Sequence, residues 1–435
     1  MPVPSTDFTQ RQILYFWLPL AASWLLMSVE VPVLQAAIAR LPNMETQLAA
    51  FGIATSLEIA IESPVIMLLA TCTALATSAR NYLALRRFMI LMNLAETCVA
   101  ILMAFTPLYG FVVLGIMGIP AAIAVAAQPG MKIMVLWSAA IGFRRFLQGV
   151  LIRHGKTRWI GYGTAARLIS SAGTGILLAL ATDLPGVYVG CTALMAGVLT
   201  EAGFIGCAAR PTVRRLLSSA GSAQAESLSL MDIVRYHTPL AATSLLTLMA
   251  QPLIGAGLAR MPNPEESLAA WPVIWGILFI FRSPAYALPE AVIALIAARR
   301  VKRQVRKFCT STGFASTGAM ALLAVTPLSG LYLRYLAGLP DRLTHFAIPA
   351  LVLALPLPYI NSIHSWFRGV LMYDRRTRAI YWGMGLNLLA MGVLVAAGVL
   401  FHAPGAPTAV IALTVAFLFE VFYLRGRVGL LDQVS

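Results

Sequence analysis

The segment ARLPNMETQLAA at residues 39–50 returns as ARMPNPEESLAA at residues 259–270. At the same offset and without gaps, more than a quarter of residues 11–170 are identical to residues 231–390. The other matched segments are PLAAS (19–23) with PLAAT (239–243), TPLYG (106–110) with TPLSG (326–330), and FLQGVLIRHGKTR (146–158) with WFRGVLMYDRRTR (366–378). Shared apolar composition would not preserve Pro, Asn and Gly at one offset. The chain is therefore a tandem duplication.

The composition of the 435 residues indicates a membrane protein. Hydrophobic residues make up 59% of the chain and charged residues 11%, whereas about 25% are charged in an ordinary soluble domain. Several apolar stretches run for roughly 20 residues or more, which is the length that crosses a bilayer. We expect an all-α polytopic protein with about twelve transmembrane helices, and hence six in each half.

The duplication also predicts the domain organisation. An even number of helices lets both halves enter the membrane from the same side, so a pseudo-two-fold axis along the membrane normal should relate the two six-helix bundles. We place the N-terminal lobe at 1–212 and the C-terminal lobe at 232–435. Residues 213–231, rich in Ser, Gly, Ala and Gln near their middle, are predicted to form a flexible cytoplasmic linker.

The net charge of +15 indicates how the chain is oriented in the membrane. Most basic residues fall in short loops on the side of the N-terminus, so the positive-inside rule predicts that both termini are cytoplasmic. We expect a multi-pass protein of the inner (plasma) membrane with the lipid bilayer and a small-molecule substrate as partners. We expect no nucleic-acid partner, and this architecture can work as a monomer.

Sequence motifs of other chemistries are missing. The chain has no Walker motif, HExxH or GxSxG. Its five cysteines form neither CxxC nor a metal-binding spacing. We therefore expect no enzymatic activity, no metal site and no cofactor, with H⁺ or Na⁺ as a coupling ion only.

Two segments resemble known exporters. The segment RRFLQGVLIRHGKTR (144–158) resembles the R-x-x-L-Q-G…T-R pattern after the fourth helix of MATE-type exporters, and 366–378 is its repeat partner. The chain thus resembles the multidrug/oligosaccharidyl-lipid/polysaccharide (MOP) exporter superfamily along its whole length. Within it, LAAFGIATSLEIAIESP (48–64) looks most like the progressive ankylosis (ANK) transporter family. This second resemblance implies export of anionic metabolites such as citrate, nucleotide or pyrophosphate.

Three acidic residues in apolar segments are candidates for ion coupling, because ionisable groups in spans are costly unless they have a function or a partner. Glu30 precedes Pro32 by two residues, and MATE-type exporters use a first-helix carboxylate, usually Asp. Glu58 and Glu62 lie one helical turn apart and share a face. The alternatives are a structural hydrogen bond for Glu30, and a permanent basic partner for Glu58 or Glu62.

A second group of residues is predicted to bind substrate, because guanidinium groups suit carboxylate and phosphate oxygens. Arg282 occupies the position equivalent to Glu62 in the repeated Ser-Pro motif. The full set is Arg282, Arg368, His364, Asn361, Arg144 and Arg145. Arg144 and Arg145 have an alternative position near the cytoplasmic lipid headgroups. Four further acidic residues in or near spans receive no role: Glu96, Glu201, Glu290 and Glu420.

Together these features predict a secondary active transporter. It would export a small, anionic organic solute by alternating access of two lobes, driven by H⁺ or Na⁺. The alternatives are a cationic multidrug exporter of the MATE type and a flippase for a lipid-linked oligosaccharide. A membrane enzyme or a scaffold would show no solute flux.

Overall fold

The computed structural model describes residues 9–218, 228–296, 302–374 and 376–432. Across these ranges the regular structure is helical, without a strand. Nine of the described helices are long and apolar enough to cross a membrane, and there are up to twelve spans when each of three bent pairs is counted as one. The all-α polytopic fold is thereby confirmed. The middle of the predicted linker, residues 219–227, lies outside the described residues.

The helices of the two halves follow each other in the same order. In the first half they are α1 (Gln10–Ile38), α2 (Met44–Ile61), α3 (Ser63–Leu75), α4 (Ala79–Phe105), α5 (Ala121–Ile133), α6 (Trp137–Arg153), α7 (Arg158–Ala181) and α8 (Gly186–Ser218). In the second half they are α9 (Leu230–Leu258), α10 (Pro264–Tyr286), α11 (Leu288–Ile296), α12 (Lys302–Val325), α13 (Asp341–Leu353), α14 (Pro356–Tyr373), α15 (Thr377–Leu400) and α16 (Gly405–Asp432).

Local backbone features repeat along with the sequence. Asn43 and Asn263 precede α2 and α10 in the left-handed conformation, with φ of 55° and 52°, which asparagine tolerates better than most residues. The pairs α5/α6 and α13/α14 bend by 45° and 44° at equivalent places. The pair α2/α3 bends by 62°, with Pro64 in the first turn of α3, where proline lacks the N–H of a continuous helix.

The described helices pack into two compact units. The N unit is Val33–Arg260, and the C unit is Met1–Pro32 with Met261–Ser435. These units differ from the lobes predicted from the repeat because the first helix of each half packs with the other half. In the C unit, Trp17 of α1 donates from Nε1 to the Pro284 carbonyl at 3.2 Å. In the N unit, α9 packs against α3 and α4.

Candidate functional site

Three buried carboxylates of the N unit interact through their charges, and most of their oxygens lack a hydrogen-bond partner among the described residues. Glu58 and Glu62 lie on α2 and at its end, and Glu96 lies on α4; they are 0%, 7% and 6% exposed. Among the described residues, neither oxygen of Glu58 or Glu96 has a hydrogen-bond partner, and Glu62 Oε2 has none either. A buried carboxylate without a partner is costly in its charged form. Two of the predicted ion-coupling residues, Glu58 and Glu62, thus lie in one cluster, and their coupling role stays a prediction.

Arg144 is also buried in the N unit and forms an ion pair with Glu201 of α8. Gln148 Nε2 donates to Glu201 Oε1 at 3.1 Å, and Arg167 Nη1 of α7 lies 3.8 Å from Glu201 Oε2. The side chain of Arg144 is 4% exposed, so it does not extend toward the headgroups. Glu201, which had no role in the sequence analysis, holds this cluster together.

Glu62 lies within the electrostatic reach of both clusters. The charges of Arg144, Arg145 and Arg167 act on it, and Glu62 in turn acts on Glu58 and Glu96. Arg145 is only partly buried, and its Nε has no hydrogen-bond partner among the described residues. The structure thus brings together four of the predicted site residues: Glu58, Glu62, Arg144 and Arg145.

Arg282 of the C unit is enclosed by aromatic rings. Its guanidinium carbon lies 5.6 Å from the ring centre of Trp275, 5.7 Å from that of Tyr286 and 4.7 Å from that of Phe417. Arg282 Nη2 donates to Asn361 Oδ1 at 3.3 Å. Its Nε and Nη1 have no hydrogen-bond partner in the described part of the chain, although the residue is 2% exposed. Asn361 and the three rings therefore hold the guanidinium in place, while two of its N–H donor groups remain available to a ligand.

His364 and Glu420 form a second polar cluster in the C unit. His364 Nε2 lies 2.7 Å from Glu420 Oε1, and Asn387 Nδ2 donates to Glu420 Oε2 at 3.0 Å. The charge of Arg368 reaches Glu420, while Arg368 Nε has no hydrogen-bond partner among the described residues. The Phe417 ring separates the two C-unit clusters, since it contacts both Arg282 and His364.

The polar clusters around Glu201 and Glu420 occupy equivalent positions of the two halves. Pro-Gly at 185–186 and at 404–405 begins the last helix of each half, which aligns Glu201 with Glu420. The constant offset of the repeat then matches Arg144 with His364, Arg167 with Asn387, and Gln148 with Arg368. The last helices of the two halves are 219 residues apart, one fewer than the 220 of the rest of the repeat.

Glu30 lies on α1, in the segment that belongs to the C unit. Glu30 is buried, and it lies two residues before Pro32, the last residue of the first segment of the C unit. Its coupling role stays a prediction.

Comparisons with known proteins support the fold. No family model matches the chain, and no curated protein does. A solved structure of a multidrug resistance MATE family transporter of the MOP superfamily, inward-facing, has a TM-score of 0.66 at 15% identity, over 93% of this chain and 96% of that one. The lipid II flippase MurJ, inward closed, has a TM-score of 0.71 at 13% identity, over 95% and 87%.

A third structure is a MOP superfamily transporter from Pyrococcus furiosus, described as having a binding pocket of reverse polarity. It has a TM-score of 0.63 at 14% identity, over 98% of this chain and 97% of that one. The similarity covers nearly the whole chain in all three cases, whereas the resemblance to the ANK family stays a prediction. The protein therefore has the MATE-like fold of the MOP superfamily transporters.

Proposed function

We propose that the protein is a secondary active transporter of the plasma membrane that exports a small organic anion, coupled to H⁺ or Na⁺. The observation that carries this proposal is Arg282. Its guanidinium is buried in the C unit, and its recorded contacts there are an amide and three aromatic rings.

A buried cation of this kind favours an anionic ligand. Burial of a charge is costly unless a counter-charge accompanies it. The unused Nε and Nη1 donors of Arg282 match the two oxygens of a carboxylate or the oxygens of a phosphate. Arg368 lies on α14 two turns beyond Asn361, so the C unit supplies a second guanidinium near the same helix face.

The coupling ion is proposed to bind in the N unit. Glu58 and Glu62 are close enough for their charges to interact, so a proton or Na⁺ that neutralises one of them lowers their repulsion. Glu30 is a third candidate, on the segment of α1 that belongs to the C unit. In this scheme carboxylates such as Glu58 and Glu62 take the cation, and the guanidinium groups of Arg282 and Arg368 take the anion.

Two alternatives follow from the solved structures. A cationic multidrug exporter would place its substrate at the carboxylates around Glu58, and the MATE neighbours favour this reading by fold. A flippase for a lipid-linked oligosaccharide is favoured by the similarity to the lipid II flippase. Both would move a substrate without catalysing a reaction.

A thermal-shift screen of the detergent-purified protein distinguishes these functions. One panel holds citrate, nucleotides and pyrophosphate, and the other holds cationic drugs. We expect anions to raise the melting temperature, and Arg282→Ala and Arg368→Ala to abolish the rise. Arg334→Ala is the matched control, because Arg334 is half exposed and paired with Asp341.

The transport step is then measured in proteoliposomes with the stabilising anion and an imposed H⁺ or Na⁺ gradient. Gradient-driven flux that Arg282→Ala abolishes supports the proposal. Stabilisation by cationic drugs alone, lost in Glu58→Gln, would replace it with the multidrug reading. An absence of flux under either gradient would overturn the coupling.

A further inference from the structure

A cleft lies on the C unit between α12, α14 and α16, and the residues that line it are not members of the clusters described above. Both α12 and α16 pack against α14, which forms the floor. The cleft consists of two neighbouring cavities of about 440 and 370 Å³. They share four lining residues, Arg306, Trp366, Phe367 and Arg425. The positive-inside rule places this end of the helices at the cytoplasmic surface.

The first cavity is strongly basic. Lys302, Arg303 and Arg306 from the first turns of α12 line it together with Arg425 of α16. None of its described lining residues is acidic. Four cationic side chains from two helices thus converge above Trp366 and Phe367, and an anionic group fits this position.

The second cavity continues from the basic residues into an apolar groove. Ile360 and Ile363 of α14 line one side, and Leu418, Val421 and Phe422 of α16 line the other. Phe422 is 63% exposed. A membrane-facing groove with a basic end and an apolar continuation matches a molecule with an anionic head and a hydrocarbon tail.

We propose that this cleft binds an anionic phospholipid of the cytoplasmic leaflet. The phosphate lies among Arg303, Arg306 and Arg425, and one acyl chain lies along Ile363 and Val421. Basic pockets between transmembrane helices at the cytoplasmic side are suited to such headgroups. A soluble anion would use the arginines but would leave the apolar groove empty, so the second cavity favours the lipid.

The site is independent of the transported anion. Neither Arg282 nor Arg368 is among the residues that line the two cavities. The lipid proposal can therefore fail while the exporter proposal holds, and the reverse is equally possible.

Native mass spectrometry of the detergent-purified full chain tests the lipid site with dioleoyl phosphatidylglycerol and dioleoyl phosphatidylcholine. We expect at least a tenfold preference for phosphatidylglycerol, which the double variant Arg306→Gln/Arg425→Gln removes. The control Arg86→Gln/Arg87→Gln removes two exposed arginines of α4 in the N unit and should keep the preference. An unchanged preference in the cleft variant would overturn the proposal.

A second arm separates the lipid from a soluble phosphate. Glycerol 3-phosphate and inorganic phosphate carry the head chemistry without a tail and should compete at least a hundredfold more weakly. Phe422→Ser should weaken phosphatidylglycerol binding severalfold. Phe422 is exposed, so its replacement should leave the folded structure intact. Competition by inorganic phosphate as strong as that of the lipid would make the cleft a soluble-anion site and contradict the proposal.

Discussion

His364 Nε2 lies 2.7 Å from Glu420 Oε1 in the C unit, and the duplicated position in the N unit pairs Arg144 with Glu201. The two pairs occupy equivalent positions, but the partner of the glutamate differs. The N-unit pair uses a guanidinium, which keeps its charge in proteins, whereas the C-unit pair uses an imidazole. The N-unit contact is therefore an ion pair, and the C-unit contact is a hydrogen bond between an imidazole and a carboxyl group.

This difference predicts unequal losses of stability. Glu201→Gln leaves Arg144 buried without its ion-pair partner, and breaking a buried pair in this way costs about 3–5 kcal/mol. Glu420→Gln should cost only about 1–3 kcal/mol, the range for an unsatisfied buried polar group, because a glutamine amide can still hydrogen-bond His364 and Arg368 keeps the charge of Glu290 nearby. Melting temperatures in detergent should thus fall more for Glu201→Gln.

A double variant checks the cause of that loss. Arg144→Gln/Glu201→Gln removes both charges and should recover part of the stability that Glu201→Gln loses. If the double variant melts below the single one, the buried charge is not the reason for the loss.

Arg282 should stabilise the protein when an anion is bound and lower its stability when no anion is bound. Arg282→Leu removes a buried cation, so we expect a higher melting temperature without anion. The same variant should bind the anion roughly 10- to 100-fold more weakly, since a charged hydrogen bond contributes about 1.5–3 kcal/mol. Arg282→Lys should bind with intermediate affinity because lysine lacks the planar fork. A lower melting temperature for Arg282→Leu would reveal an acidic partner within the fold.

The carboxylates of α2 should govern coupling and not folding. Because both Glu58 oxygens are buried without a hydrogen-bond partner among the described residues, Glu58→Gln should leave the melting temperature unchanged or higher. Gradient-driven flux should fall more than tenfold, whereas exchange of labelled for unlabelled substrate without a gradient should persist. Glu265→Gln, at an exposed position in the first turn of α10, is the control. Equal flux in Glu58→Gln and wild type would exclude Glu58 from coupling.

Two repeated glycines permit close helix contacts, and an alanine at either position should be destabilising. A Cβ on Gly149 would lie 2.7 Å from the Leu69 carbonyl oxygen, and one on Gly369 would lie 2.5 Å from Val292 Cγ1 and 2.6 Å from Val292 Cβ. Neither the backbone oxygen nor the Val292 Cβ can rotate away. Gly149→Ala and Gly369→Ala should therefore each cost about 1–3 kcal/mol for overpacking, measured as melting temperature.

The glycine comparison has its own rescue and control. Val292→Ala should restore only part of the stability of Gly369→Ala, because it removes the Cγ1 methyl at 2.5 Å but keeps Val292 Cβ at 2.6 Å. Gly161→Ala, with no neighbouring atom within 4 Å, should be neutral or stabilising. A loss at Gly161 as large as that at Gly149 would point to backbone flexibility as the cause.

The repeat and the apolar stretches sufficed to predict the fold, because both are patterns of the chain itself. Asn43 and Asn263 illustrate how a sequence repeat predicts a structural repeat. Their segments match in sequence, and both residues adopt the left-handed backbone conformation. The site was predicted less completely. Helical spacing tells which residues share a face, as it did for Glu58 and Glu62, but not which neighbouring helix covers that face.

Residues far apart in the chain supplied what was missing. Glu201 and Glu420 lie on the last helix of each half, far in sequence from Arg144 and His364. Phe417, one of the rings around Arg282, also lies on the last helix of the second half. Their partners depend on tertiary packing, which no local pattern encodes. The one-residue shift before Pro404 also concealed the equivalence of the two glutamates.

The exchange of first helices between the units determines when each can be completed during synthesis. The N unit requires α9, so it stays incomplete after α8 has left the ribosome. The first segment of α1 is made first, yet it packs with helices that are translated last, and it must remain in the membrane without those neighbours until then. Two fragments produced by cutting the chain after α8 would each carry one helix that belongs to the other, and hence neither could assemble unless both were made in the same cell.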